Sequence, residues 1–415
     1  MLQTPKSLRL QIALFGRTNV GKSSFLNMIA NQDVAITSTE PGTTTDVVEK
    51  AIELLPIGPV TFLDTGGIDD VSKLAEKRIE RTLKILNRAD IAVLITEPNE
   101  WTIFEDRMVE EFTKANIPML LAVNKIDNVH PDKDFISKIE IISDNIIYCS
   151  STDIANRDKQ ILNFKDAIAS MLPSDFLKPH PLIGDLIPKG GVAVLITPID
   201  SEAPKGRLIL PQVQAIRDVL DNDGISLVVK ETEYIYALAQ LARKPDLVVC
   251  DSQVVLKMVA ETPPEIKCTT FSILFSRLKG DIDEEARGVA VIDQLQKNDK
   301  ILIAEACSHH PLEDDIGRIK IPRWLREYIG EDIQIDFCRG RDFPDNLKEY
   351  KLIIHCGGCM LTRNEKLIRM QYAKEAGVPM TNYGITISLV QGVIGRVLSP
   401  FPAALQAYLE AAGGK

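Results

Sequence analysis

Several things are scarce in this sequence, and each absence narrows what the chain can be. Its 415 residues hold only seven cysteines, an odd number spread over a long chain. That argues against a disulfide framework and for buried thiols or metal binding in a reducing compartment. No apolar run reaches membrane-spanning length, and Met1 to Leu8 lacks the apolar core of a secretory signal, so a cytoplasmic protein with no membrane partner is expected. Positive charge is in the minority: 48 Lys and Arg face 58 Asp and Glu, for a formal net charge of −10. Nucleic acid is therefore not expected as the main partner, because phosphate binding relies on clustered Lys and Arg. Hydrophobic residues at 45% and charged residues at 26% fit an ordinary globular protein. A chain of this length is expected to form two or three domains, since single cores stop growing earlier.

What is present begins with an apolar strand, Leu8 to Phe15, running into Gly16-Arg17-Thr18-Asn19-Val20-Gly21-Lys22-Ser23, with Ser24 to Ala30 spaced as a helix. This is Gly-x-x-x-x-Gly-Lys-Ser in its strand–loop–helix setting. Backbone N–H groups of such a loop cradle phosphates, Lys22 can reach the outer ones, and Ser23 can bind Mg2+. Val60 to Leu63 reads as a buried strand ending in Asp64-Thr65-Gly66-Gly67. An acidic residue there can hold Mg2+ through water, and Gly67 lets the backbone approach a γ-phosphate. Ile117 to Val123 is another strand, ending in Asn124-Lys125-Ile126-Asp127, where Asp127 can accept both hydrogen bonds that guanine donates and adenine does not. Ile146 to Cys149 leads to Ser150-Ser151, a weaker match to a last guanine-contacting loop. Together these pieces specify GTP. Helices at Lys73–Asn87, Phe104–Lys114 and Phe164–Met171 and a strand at Ile91–Ile95 complete a doubly wound unit over residues 1–173.

Gly16 to Ser24, Pro41-Gly42-Thr43-Thr44-Thr45-Asp46, Asp64 to Gly67 and Asn124 to Asp127 resemble the translation-factor-related GTPases, particularly the Era and tRNA-modifying branch. The resemblance implies that Thr44 binds Mg2+ when the first switch closes and that Asn19 is a ligand of K+. Lys22, Thr44, Asp64 and Gly67 would then be the catalytic set. Ile68 stands where Ras-like proteins place a water-orienting Gln. It has no hydrogen-bonding group, so slow, potassium-stimulated hydrolysis is expected.

Four prolines between Pro173 and Gly191 (Pro173, Pro179, Pro181 and Pro188) resist helix and central strand and place a linker at 174–190. Residues 191–270 read as three β–α pairs without a phosphate loop or convergent acid–base set, with Cys250 and Cys268 as core thiols. So thin a core is expected to bury a face elsewhere, by self-association or against its own neighbours. Residues 271–415 continue the alternation, with strands at Ser272–Phe275, Lys300–Ala306, Asp332–Phe337 and Lys351–His355. Helices are expected at Asp283–Gln296, Arg323–Ile329 and Glu365–Ala376. The fold class is thus α/β, in three domains.

Two of these strands end in cysteine. Ile301 to Ala306 runs into Cys307, with His309 two residues on, and Leu352 to Ile354 runs into His355-Cys356-Gly357-Gly358-Cys359. Parallel strands deliver functional residues at their carboxyl ends, so the two thiol-bearing ends suggest one shared site. Gly357 and Gly358 permit the tight turn that lets two thiolates face one centre. Spacing leaves zinc, an iron–sulfur cluster and a redox dithiol open. No fourth cysteine sits in the motif, so a non-cysteine ligand is expected beside Cys307, Cys356 and Cys359, with Glu305, His309 and His355 as candidates. Cys338 is expected to be structural. Arg339, Arg341 and Arg363 lie near the thiols in sequence and could receive an anion.

A GTPase followed by Cys307-x-His309 and His355-Cys356-x-x-Cys359 resembles the maturation GTPases of [FeFe]-hydrogenase, along essentially the whole chain. The resemblance implies a carboxyl domain holding a [4Fe-4S] cluster, a middle domain forming a homodimer, and a scaffold and carrier for the diiron precursor of the hydrogenase. Radical-SAM maturases would load it and the hydrogenase apoprotein would receive the product. The alternative is an Era-like RNA or ribosome-assembly GTPase with a structural zinc domain; the acidic balance and the lack of a basic Gly-x-x-Gly loop count against it.

Overall fold

The computed structural model describes residues 6–30, 48–64, 85–172, 181–199, 206, 208–306, 315–340 and 342–413. It divides into two compact units, Met1–Pro179 and His180–Lys415.

The first unit is a six-stranded sheet in the order β2-β3-β1-β4-β5-β6. Its strands are β1 (Leu10–Phe15), β2 (Val48–Leu54), β3 (Gly58–Asp64), β4 (Ile91–Thr96), β5 (Met119–Val123) and β6 (Ile146–Tyr148). Every pair is parallel except β2 with β3. β1 and β4 are buried along their whole length, as central parallel strands covered on both faces must be. Helices α1 (Lys22–Ala30), α2 (Ile103–Lys114), α3 (Lys133–Ile142) and α4 (Arg157–Met171) connect the strands. On one face Phe164 of α4 stacks edge-on against Phe25 of α1 at 5.6 Å between centroids. On the other Phe15 packs on Phe112 at 5.0 Å. The helix expected over Lys73–Asn87 lies mostly outside the described residues.

The second unit carries two four-stranded sheets. One is β7 (Val192–Ile196), β8 (Ile225–Val229), β9 (Leu247–Cys250) and β10 (Lys267–Thr270), in the order β10-β9-β7-β8. The other is β11 (Lys300–Glu305), β12 (Gln334–Arg339), β13 (Leu352–His355) and β14 (Met380–Asn382), in the order β12-β11-β13-β14. Both are wholly parallel. Helices α5 (Leu210–Asp221), α6 (Tyr234–Gln240), α7 (Val255–Glu261), α8 (Phe271–Lys279), α9 (Ile282–Val289), α10 (Ile321–Ile329), α11 (Arg363–Glu375), α12 (Tyr383–Val390), α13 (Ile394–Leu398) and α14 (Pro402–Ala411) complete it.

Two expectations are corrected here. Ser272–Phe275 is not a strand but part of α8: Thr270 caps the helix by accepting from the Ile273 amide at 3.3 Å, and Phe271, Leu274 and Phe275 recur at helical spacing. The strand is the preceding Lys267–Thr270, so the middle sheet has a fourth strand rather than three β–α pairs alone. The helix expected over Asp283–Gln296 stops at Val289 and continues as a short 3-10 turn.

The two sheets share one apolar core, from Ile183 and Val194 through Ile273, Ile303 and Ile354 to Leu398. The middle sheet therefore does bury a face against its own neighbours. Its outer strand β8 leaves Ile225 and Val228 exposed. Cys250 and Cys268 are fully buried. No described helix is long and apolar enough to cross a membrane.

Candidate functional site

The strand order brings the carboxyl ends of β1, β3, β4 and β5 to one edge, where the nucleotide-type loops gather. Lys22 is nearly buried, and its Nζ donates to Gly16 O at 2.6 Å and Arg17 O at 2.7 Å. Ser23 and Ser24 are exposed in the first turn of α1. Gly21 has φ +93, and a Cβ there would stand 2.5 Å from Asn124 Nδ2; glycine is required on both counts. Asn124 Nδ2 donates to Val20 O at 2.8 Å, while its Oδ1 accepts from Ser151 N at 3.1 Å and Oγ at 2.9 Å. One buried amide thus ties the phosphate loop to the Ser150–Ser151 loop. Lys125, at φ 60, donates to Asn19 O at 2.6 Å and pairs with Glu97. Asp127 is exposed, with Thr152 Oγ1 3.4 Å from its Oδ2.

Asp64 ends β3 with its carboxylate buried and with Oδ1 lacking a hydrogen-bond partner among the described residues. Burial raises its pKa against the pull of Lys22 and Lys50. An orphaned carboxylate oxygen beside the phosphate-loop lysine suits Mg2+ and its water. Thr43, Thr44, Gly67 and Ile68 lie outside the described residues. Sequence reasoning passed over Arg17, which pairs with Glu105 at 2.7 Å and Glu100 at 2.9 Å. Glu105 also closes the capping box with Thr102 at the start of α2, so that helix anchors the loop.

In the second unit the two thiol-bearing strands are direct neighbours. β11 pairs with β13, Ala304 opposite His355, and the Cys356 amide extends the ladder by donating to Ala304 O at 2.9 Å. The Ala306 amide donates to Cys356 Sγ at 3.1 Å. Cys307 and His309, the next candidates along the chain, lie outside the described residues. Among those described, no three His, Cys, Asp or Glu gather as a metal site. The turn is set by Gly358, at φ +66, and closed by the Leu361 amide on Gly358 O at 3.0 Å. Thr362 and Glu365 then form the capping box that starts α11. Burial pushes the Cys359 thiol up to about 11, helped by Cys356 and opposed by Lys279.

Two of the three proposed fourth ligands, His355 and Glu305, are engaged within the chain. His355 is fully buried, and burial together with Lys366 and Arg369 holds its pKa well below the usual value. As a neutral ring it bonds Cys356 O through Nδ1 at 2.7 Å and meets Arg369 Nη1 through Nε2 at 3.1 Å. As placed, it presents no spare lone pair to a metal. Glu305 shares the face of Ile303 and Ile354 with Cys356, by strand alternation. Its Oε2 accepts from Arg318 Nη2 at 3.0 Å and Nε at 3.2 Å, and a Cβ on Gly317 would crowd its Oε1 at 2.7 Å. Cys338 belongs to the opposite apolar face, beside Leu302 and Ala304.

Of the arginines singled out from the sequence, Arg339 lies 4.0 Å from Glu305, Arg363 only reaches toward Leu278 O, and Arg341 lies outside the described residues. Among the described cations Lys279, Lys366 and Arg369 stand at the turn, and Arg318 stands at Glu305. Burial draws the Lys279 ammonium down to about 8, against Cys359, Glu365 and Cys356. Lys366 and Arg369 could have been suspected, since they follow the turn at helical spacing. Lys279 carries no such signal.

Two family models match within the second unit and one within the first. The hydrogen maturase F dimerization domain matches residues 182–280 and the hydrogen maturase F tetramerization domain residues 283–400, together more than half of the chain. The 50S ribosome-binding GTPase family matches residues 11–125. The tRNA modification GTPase MnmE of Prochlorococcus marinus (strain NATL1A) is 37% identical over 158 residues, 37% of this chain and 33% of that protein. The chain thus spans about a third of the length of the tRNA modification GTPase it matches. The GTPase Era of Thermoanaerobacter sp. (strain X514) is 32% identical over 238 residues, 54% of this chain and 75% of that protein. A crystal structure of Aquifex aeolicus Era bound to GDP and AlF4− is 27% identical, covering 40% of this chain and 57% of that one at a TM-score of 0.32.

Proposed function

This chain belongs to the hydrogen maturase F family and carries a GTPase domain, and we propose that it is a GTP-hydrolysing scaffold that holds a [4Fe-4S] cluster and delivers a diiron precursor to [FeFe]-hydrogenase. The observation that carries this reading is the junction of Ala306 with Cys356. It seats the residue bonded to Cys307 against the Cys356–Cys359 turn. The donor set suits a cluster: two thiols on one glycine turn, a backbone N–H on sulfur and buried cations close by. Cys307, Cys356 and Cys359 would hold it, with Glu305 or His309 ahead of His355 for the remaining position. Bound by three thiolates, such a cluster supplies one iron whose ligand can exchange. The diiron unit is cargo, loaded by radical-SAM maturases and passed to the hydrogenase apoprotein. The dimerization and tetramerization domains support an oligomer, a homodimer through the middle sheet first, in the cytoplasm.

In the GTPase unit Lys22 and the phosphate-loop amides bind the phosphates, and Ser23, Thr44 and Asp64 serve Mg2+. Asn124, Lys125, Asp127 and Ser151 frame the guanine. A K+ ion at Asn19 would supply charge that other GTPases take from an arginine finger. Hydrolysis then acts as a switch for partner association.

Anaerobic purification tests the reading. A brown protein with iron and sulfide in equal amounts, which activates hydrogenase apoprotein after loading, is expected; a colourless zinc protein would overturn it. Hydrolysis should run faster in K+ than in Na+, and Asn19→Ala should erase the difference.

A further inference from the structure

Beneath the cysteine turn lies a charge that the function above does not use. Lys279 is the last residue of α8, and its side chain is all but sealed from solvent, at 2% exposure. Its Nζ donates to three backbone carbonyls of the turn: Gly358 O at 3.1 Å, Cys359 O at 3.0 Å and Leu361 O at 2.5 Å. An ammonium has three protons, and here all three are spent on the loop that carries the thiols. The Phe275 ring covers it from another side, 5.7 Å from the ammonium. Two more buried cations stand close: Lys366, paired with the equally buried Glu285 at 2.9 Å, and Arg369, which donates to Gly340 O at 2.6 Å and meets His355.

Burying a cation is costly unless it is compensated. Although Glu365 offsets part of its charge, three neutral carbonyls satisfy the protons of Lys279 without cancelling the rest. Thiolates in the turn would, and a group held by thiolates gains negative charge again whenever it takes an electron. In a medium of low dielectric such a nearby charge acts far more strongly than it would in water. The arrangement also fixes the turn, because the three carbonyls span the segment from the residue before Cys359 to the start of α11.

We propose that Lys279 is a positioning residue for the metal centre, clamping the Gly358–Leu361 backbone so that both sulfurs face one group and favouring that group's reduced state. This rests on the cluster reading above. It also links the two matched domains, since Lys279 belongs to the dimerization domain and the turn to the tetramerization domain.

The test uses the full chain, reconstituted anaerobically with iron and sulfide. Two measurements are made: the rate at which an iron chelator strips the centre, and the reduced-to-oxidised ratio at a fixed potential by electron paramagnetic resonance. Lys279→Met keeps the shape of the side chain and removes its charge. It should fold, lose iron roughly tenfold faster, and show a ratio about tenfold lower, equivalent to about 59 mV for one electron. Lys279→Gln keeps two donors without the charge; it should recover much of the iron retention but not the ratio. A purely structural lysine would lower folding stability and leave the ratio alone, which overturns the proposal. So does parent-like behaviour in both variants. If Lys279→Met does not fold, Lys279→Gln carries the measurement, and failure of both to fold assigns the lysine to the fold alone. No iron uptake by the parent chain defeats the cluster reading itself; normal uptake with unchanged variants defeats only the role of Lys279.

Discussion

The amide of Ala306 points at the sulfur of Cys356, 3.1 Å away, across the gap between two neighbouring parallel strands. A hydrogen bond to sulfur favours the thiolate and tunes what it binds. It also fixes how the chain leaves β11, immediately before Cys307.

Removing any one thiol of the set should therefore strip most of the iron. Cys307→Ala, Cys356→Ala and Cys359→Ala should each retain less than about a quarter of the parent's iron, while Cys338→Ala, on the other face of its sheet, should keep nearly all of it. Iron analysis after anaerobic reconstitution decides this. Glu305→Gln should keep the cluster and change its paramagnetic resonance signal if its carboxylate holds an iron.

Asn124 joins three segments of the nucleotide site through one buried amide. Asn124→Ala removes the bonds to Val20 O and to Ser151, each worth about 1 kcal/mol, and loosens the loop under Gly21. GDP affinity should fall about 30- to 100-fold by titration calorimetry, with iron content unchanged. Lys22→Ala should abolish hydrolysis with iron likewise unchanged.

Three thiols should be invisible to alkylating reagents. Burial pushes Cys149 up to about 12, Cys268 up to about 11 and Cys250 well above its ordinary value, with Asp251 and Cys268 raising Cys250 further. At pH 8 the thiolate fraction of Cys149 and Cys268 is then about a thousandth or less. Mass spectrometry of native protein exposed briefly to iodoacetamide should find Cys149, Cys250 and Cys268 unmodified, and labelled only after unfolding.

The Glu285–Lys366 pair is fully buried, and Glu285 also accepts from Asn382 Nδ2 at 2.7 Å and from Ser276. Breaking it from one side leaves an uncompensated charge, so Lys366→Met should destabilise the second unit by roughly 3–5 kcal/mol. Adding Glu285→Gln should recover part of that loss. Urea unfolding followed through Trp324 in a Trp101→Phe background reports on this unit; a double variant no better than Lys366→Met would refute the coupling.

The parts that follow local rules were legible in the sequence. The phosphate loop needs its glycines and lysine in fixed order, and parallel strands announce themselves as short apolar runs, so β1, β5, β11 and β13 could be placed and two thiol-bearing ends brought together. Where several readings fit one apolar run, the sequence misled: Ser272–Phe275 is short and apolar enough for a strand, and the Thr270 cap together with burial on several sides settles it as helix. Lys279 itself could not have been found, because its partners are carbonyls, which every residue has. His355 looked like a ligand beside two cysteines. Its engagement by Arg369 depends on α11 folding back over β13, a relation that no spacing encodes.

Helix α13 lies against β10, and Arg396 on it donates to Pro263 O at 2.7 Å and Ile266 O at 2.5 Å. Val397, Leu398 and Ala404 belong to the same apolar core as Ala193 and Val248. The middle sheet is thus roofed by residues some two hundred positions beyond its first strand. A nascent chain would hold β10 uncovered until Arg396 and Val397 had emerged, the circumstance in which chaperones engage and aggregation begins. A stop codon near residue 390 would therefore damage the sheet that begins at Val192, some two hundred positions upstream, as severely as it damages its own neighbourhood.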